Sequence, residues 1–82
     1  MKKNDIVYFV DRGAKYYFDM RFIQKEYIEK YKVYLYKCEI LMKQYKFNND
    51  MYAPNFDLIG KIDNYSILSI MLTKDEAERA IQ

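Results

Sequence analysis

The chain contains no histidine and only one cysteine, and these shortages limit the chemistry that it can perform. Histidine is the usual general base near neutral pH and the commonest metal ligand. Without it, Cys38, Ser66 and Ser69 have no base to activate them as nucleophiles. The two glycines stand alone and form no phosphate-binding loop. We therefore expect no enzyme activity, no catalytic or metal-binding residue and no cofactor.

Two further shortages bear on location. A single cysteine allows no internal disulfide, which fits a reducing compartment, and we expect Cys38 to be a small buried or half-buried apolar residue. No apolar run approaches the roughly 20 residues of a membrane span. The run Ile6–Val10 after Asp5 is too short for a signal peptide. We expect a cytoplasmic protein that contacts no membrane.

Glycine and proline are scarce, at two and one residues, which argues against disorder. Apolar residues make up 51% of the chain and aromatic residues 18%, which is ample for a core. Because domains rarely divide below roughly 100 residues, we expect residues 1–82 to form one domain.

Period-two patterns predict strands in the first half of the chain. Residues 6–10 form a β-branched and aromatic run that ends at a turn signal, Asp11-Arg12-Gly13. From Phe18 to Phe22 the alternation is strict, and residues 31–36 alternate similarly. In residues 18–22, one face carries Phe18, Met20 and Phe22. In residues 31–36, one face carries Tyr31, Val33 and Leu35, and the other carries Lys32, Tyr34 and Tyr36.

A long helix over about residues 14–46 is the alternative. This stretch lacks glycine, proline and asparagine, and apolar residues also recur there at helical spacing. Against it, tyrosine favours strands, and such a helix would be apolar nearly all round. Two strands joined by a turn near Glu29-Lys30 explain the pattern with less strain.

The C-terminal part predicts a loop around residues 48–55, a last buried strand at 66–72 and a short helix. Thr73-Lys74-Asp75-Glu76 is a capping box, in which the Thr73 hydroxyl accepts from the Glu76 amide. The expected fold class is mainly β, or α+β. Its form is a small curved antiparallel sheet, or a barrel, with a short C-terminal helix.

Both ends of the chain resemble small accessory proteins of low-GC Gram-positive bacteria and their phages. The matching segments are Val7-Tyr8-Phe9-Val10 and 72–80, Leu-Thr-Lys-Asp-Glu-Ala-Glu-Arg-Ala. The resemblance implies a barrel of the Src-homology-3 or KOW kind, encoded by a phage or prophage and acting in the host cytoplasm. The usual Gly-Lys-aromatic entry into the last strand is spread here from Gly60-Lys61 to Ile67.

Charge divides the chain, although the net charge is only +2. Residues 15–46 carry eight cationic against four acidic side chains, and residues 47–82 carry three against six. A dedicated duplex-DNA binder usually has a stronger basic excess.

Ten tyrosines are the one compositional excess. Some are expected to fill the core, but several fall on faces opposite the expected core sets. Exposed tyrosine beside lysine suits protein contact, and also the stacking of single-stranded bases. The candidate partner-binding residues are Tyr17, Tyr34, Tyr36, Lys32 and Lys37, with Asp57 and Asp63 from the acidic half.

Three functions fit these patterns. The first is a protein-binding module that acts on a host protein or nucleoprotein complex, for example as an inhibitor of a CRISPR effector, with the acidic half facing a basic channel. The second is a single-stranded nucleic-acid-binding barrel. The third is a structural homo-oligomer that buries the tyrosine face in itself.

Overall fold

The structure, a computed structural model, describes the backbone of residues 1–46, 51–52 and 59–82 and the side chains of residues 1–41 and 59–82. This part of the chain is mainly antiparallel β with one short C-terminal helix, as predicted. The elements are β1 (Ile6–Asp11), β2 (Tyr16–Ile28), β3 (Val33–Lys46), β4 (Met51–Tyr52), β5 (Ile62–Ser66), a 3-10 turn (Ile67–Ser69), β6 (Ile70–Met71) and α1 (Lys74–Ala80).

The alternative of a long helix over residues 14–46 is wrong. β2 and β3 occupy this stretch and pair antiparallel along nearly their whole length. The predicted turn near Glu29-Lys30 joins them, and there the amide of Tyr31 donates to the Ile28 carbonyl at 3.2 Å. Tyrosine and β-branched residues pack well on a pleated surface, so the period-two pattern outweighs the helical spacing.

One sheet contains all the described strands. Its order is β4-β3-β2-β1-β6. β5 also pairs with β3, but at Leu35–Glu39, whereas β4 pairs with the later residues Gln44 and Tyr45. A single 3-10 turn then carries the chain from β5 to β6, which pairs with β1. In the described part of the chain β5 and β6 are not paired with each other, so the antiparallel sheet is open there and the alternative of a closed barrel is not found.

The main core lies on one face of this sheet. Register places Val7 opposite Met20 and Phe22 opposite Cys38, and all four side chains are buried with Ile70. The partly buried rings that pack against them are those of Phe9, Phe18, Tyr36 and Tyr65. The predicted core face of β2, Phe18, Met20 and Phe22, is therefore confirmed.

A second core lies on the opposite face, under α1. Ala77 and Ile81 of the helix region pack there on Val10 and Tyr17. The helix begins at the predicted N-cap, Thr73, whose hydroxyl oxygen accepts from the Glu76 amide at 3.1 Å. The same hydroxyl donates to a Glu76 carboxylate oxygen at 3.1 Å, whereas in the usual capping box this carboxylate accepts from the amide of the N-cap residue.

Substituting Met20, which is fully buried, tests the main core. We expect Met20→Ala to lower the free energy of unfolding by about 2–5 kcal/mol, because the truncation leaves a cavity as well as losing buried apolar surface. Guanidinium unfolding followed by circular dichroism measures the difference. Leu68→Ala, at a side chain that is 81% exposed, is the control and should cost less than about 0.5 kcal/mol. Equal losses in the two variants would contradict the assigned core.

Candidate interaction surface

The hairpin of β2 and β3 extends well beyond β1. Pairing of β1 with β2 ends at Ile6 and Arg21, whereas pairing of β2 with β3 continues to Ile28 and Val33. We call this projecting part, residues 24–37, the arm. A register shift between Phe22 and Gln24 marks its base, and irregularities of this kind bend a strand and increase its twist.

The arm carries four exposed apolar side chains. Tyr27, Tyr31, Val33 and Tyr34 are each between 43% and 65% exposed. Single exposed apolar residues are normal on a protein surface, but several on one short hairpin are characteristic of contact surfaces. The exposed tyrosines described by the structure therefore concentrate on the arm.

Contacts within the arm order these rings. Tyr27 and Tyr34 are cross-strand partners, and their ring centroids lie 5.0 Å apart in a T-shaped arrangement. The Lys25 ammonium lies 4.6 Å from the Tyr34 ring centroid, and that of Lys30 lies 5.4 Å from the ring of Tyr31. Both distances are within cation–π range, so the ammonium groups cover ring faces and restrict the side chains.

The arm is electrostatically positive at its tip. Glu26 is neutralised by Lys37 at 3.4 Å, and the side-chain amide of Gln24 donates to it at 2.8 Å. These hydrogen bonds, that from Gln24 foremost, hold the pKa of the Glu26 carboxyl below its ordinary value. The exposed cations Lys25, Lys30 and Lys32 have no carboxylate at ion-pair distance among the described side chains.

Four of the predicted contact residues lie on the arm, and two of these four are exposed. Tyr34 is exposed beside Tyr27. Lys32 lies in the turn with a positive φ of 53° and an exposed side chain. Lys37 is half-buried in its ion pair with Glu26, at the base of the arm.

Two predicted contact residues are not exposed as expected. Tyr17 is only 2% exposed, because α1 covers its face, and its hydroxyl donates to Glu78 at 3.0 Å. Tyr36 is half-buried against Phe22, with ring centroids 5.4 Å apart. Cys38 points into the main core, and Tyr36, two positions away on the same strand, shares its face.

The two acidic candidates lie elsewhere. Asp63 is exposed on β5, where it pairs with Cys38 of β3. Its carboxylate accepts from the Asn64 amide at 2.8 Å. Asp57 lies outside the described residues. The structure therefore does not bring Asp63 together with the exposed tyrosines of the arm.

Sequence reasoning missed Lys25, Tyr27 and Tyr31 as surface candidates. A signal for Tyr27 was present. A turn of four residues over 29–32 pairs residue 28 with 33, and therefore Tyr27 with Tyr34. If the two strands had been aligned across the predicted turn, the alignment would have placed the two rings side by side.

The side chains that could carry chemistry are few in the described part. No group of three or more Cys, Asp or Glu side chains there is placed to hold a metal ion. No helix there is long and apolar enough to cross a membrane. Cys38 is fully buried, as expected, and desolvation raises the pKa of its thiol to about 11, so it is protonated at neutral pH.

Comparisons of the chain with models of known protein families, with curated proteins and with solved structures find no match. The resemblance of the two terminal motifs therefore stays a prediction.

The buried thiol of Cys38 should react slowly. Raising its pKa from 9.0 to about 11 lowers the thiolate fraction near neutral pH about a hundredfold, and burial slows access further. We expect a chromogenic disulfide reagent to label the native protein at least about a hundredfold more slowly than the protein in guanidinium. Equal rates in the two conditions would show that Cys38 is accessible.

Proposed function

We propose that the protein is a non-catalytic binding module that engages a partner protein through the arm. The observation that carries this proposal is the ordered set of exposed rings, Tyr27, Tyr31 and Tyr34, on a hairpin that projects past β1. Tyrosine is enriched among the few residues that dominate binding free energy at protein interfaces.

The internal contacts of the arm support binding at low entropic cost. A tyrosine has two side-chain torsions and offers a large contact area for little lost freedom. The T-shaped pair of Tyr27 and Tyr34, with Lys25 above the second ring, already restricts these torsions in the free protein. The entropic cost of binding a partner would then be smaller, since preorganised groups lose less entropy on binding.

Single-stranded nucleic acid is the alternative partner, since the arm joins aromatic rings with lysines. The cation–π contacts weigh against it. Lys25 and Lys30 lie over the rings of Tyr34 and Tyr31, so a base stacking on the same faces would displace them. A protein partner that packs on ring edges leaves these contacts intact, and we favour it for this reason.

A finer form of the proposal follows the resemblance of the termini: an accessory, phage-type inhibitor of a host nucleoprotein complex in the cytoplasm. Separation of charge supports it. The acidic helix α1 packs near Tyr17, ten residues before Tyr27 along β2. At about 3.3 Å per residue, the basic arm and α1 are roughly 30 Å apart, several Debye lengths at physiological salt. Each surface would thus attract its own complementary region of a large partner.

Affinity capture tests the protein-binding proposal. We expect the tagged protein to retain a stoichiometric partner from a bacterial extract, and Tyr27→Ala with Tyr34→Ala to abolish retention. Two interface tyrosines should contribute at least about 2 kcal/mol together, or roughly thirtyfold in Kd. Both side chains are exposed, so the double variant should keep its fold, which circular dichroism verifies.

Leu68→Ala is the matched control, because Leu68 is the most exposed large apolar residue outside the arm among the described side chains. It should capture the partner like the unaltered protein. Capture that survives the double tyrosine substitution would remove the arm from the interface. Retention of nucleic acid alone, lost after nuclease treatment, would favour the alternative partner.

A further inference from the structure

Among the described residues, none forms a strand beside the outer edge of β2 along the arm. On its inner side, residues Gln24–Ile28 pair with β3. On its outer side, β1 ends opposite Arg21, and the last backbone bonds there join Asn4 and Asp5 to Phe22. No described residue pairs with the outer side beyond this point.

This open edge is long enough to accept a strand. Five residues at about 3.3 Å each span roughly 17 Å, the length of a typical strand in a globular protein. In an antiparallel pair, alternate residues direct both backbone groups outward, so the edge presents unpaired donors and acceptors in a fixed array. The array is held by the pairing with β3 and needs no folding on binding.

We propose that the outer edge of β2 at Gln24–Ile28 accepts an extended acidic segment of the partner protein as an added antiparallel strand. This inference rests on the proposed function and specifies its mode of contact. Main-chain hydrogen bonds would supply affinity, and the side chains beside the edge would select the segment.

Charge selects an acidic occupant. Lys25 lies on the edge itself, and Lys30 and Lys32 lie in the adjoining turn, all exposed and without ion-pair partners in the described part. The nearby Glu26 is occupied by Lys37 and Gln24, which leaves Glu29 as the unengaged acid of the arm. An acidic residue opposite Lys25 and an apolar residue beside Tyr27 would complement the edge.

The same charges disfavour a second copy of this chain as the occupant. Two copies paired antiparallel along this edge would bring their two Lys25 side chains close together on neighbouring strands. Like charges close together in a sheet are destabilising, and lysine on an open edge is a common means of preventing self-association. An acidic segment turns the same lysines into attractive contacts.

A labelled synthetic peptide provides the test. The probe has about eight residues, in which glutamate and valine alternate at every second position and threonine fills the positions between. Both the acidic and the apolar side chains then share the face of Lys25 and Tyr27. Its ends are capped, and it is long enough to cover the edge. We expect saturable binding to the full-length protein by fluorescence anisotropy at low salt, with slowed amide exchange within residues 24–28. Lys25→Glu should weaken binding at least about tenfold, since it replaces an attraction with a repulsion. The matched control, Lys61→Glu at another exposed lysine, should not.

Two modified probes separate strand addition from simple charge attraction. A peptide that is N-methylated at the alternate residues facing β2 keeps its charge but loses the donors, and we expect it not to bind. A peptide with lysine in place of glutamate should bind at least about tenfold more weakly. Undiminished binding of the N-methylated peptide, or no binding of the original, would overturn the inference.

The outcomes also distinguish this inference from the proposed function. Arm-dependent capture of a protein without peptide binding rejects strand addition and leaves the proposed function standing. Capture that does not depend on the arm rejects the proposed function itself. Tighter binding of a thymidine oligonucleotide of about fifteen nucleotides than of the acidic peptide, at equal salt, would overturn the choice of a protein occupant.

Discussion

The pairing of β2 with β3 is the constraint on which the rest of the structure depends. It fixes Phe22 opposite Cys38, and β1 adds Val7 opposite Met20, so the main core is assembled from directly paired residues. Tyr34, Tyr36 and Cys38 lie two positions apart and share one face of β3, so the position along the hairpin decides which of the two tyrosines is buried. Tyr36 enters the core with Cys38, while Tyr34 stays on the arm beyond the covered part of the sheet.

Unequal strand lengths create the arm. β1 has six residues and β2 has thirteen, so β1 covers only part of the edge of β2. The described elements cover only part of this hairpin, and small domains leave a large share of their surface exposed. The 3-10 turn and α1 cover the regions near β1. The tyrosines at the far end are exposed as a direct consequence.

Particular residues show how far sequence patterns determine this fold. Strict alternation at Phe18–Phe22 identifies β2 and its core face, and Thr73 identifies the start of α1. Tyr17 shows the limit. Alternation separates the two faces of a strand but does not say which face another element will cover. Here both faces carry a core, since α1 packs on the face opposite the main core, and this depends on contacts distant in sequence.

The register shift between Phe22 and Gln24 had no signal in the alternation pattern, yet it marks the point where pairing with β1 gives way to the arm. Lys25, just beyond it, contributes to two properties at once. Its ammonium lies over the Tyr34 ring and restricts that side chain. An ammonium group has three donors, so Lys25 can hold this position and still bond a carboxylate on an added strand. Lys25 can therefore keep its contact with the Tyr34 ring while it binds an acidic residue of the proposed added strand. Neither contact has to be lost for the other to form.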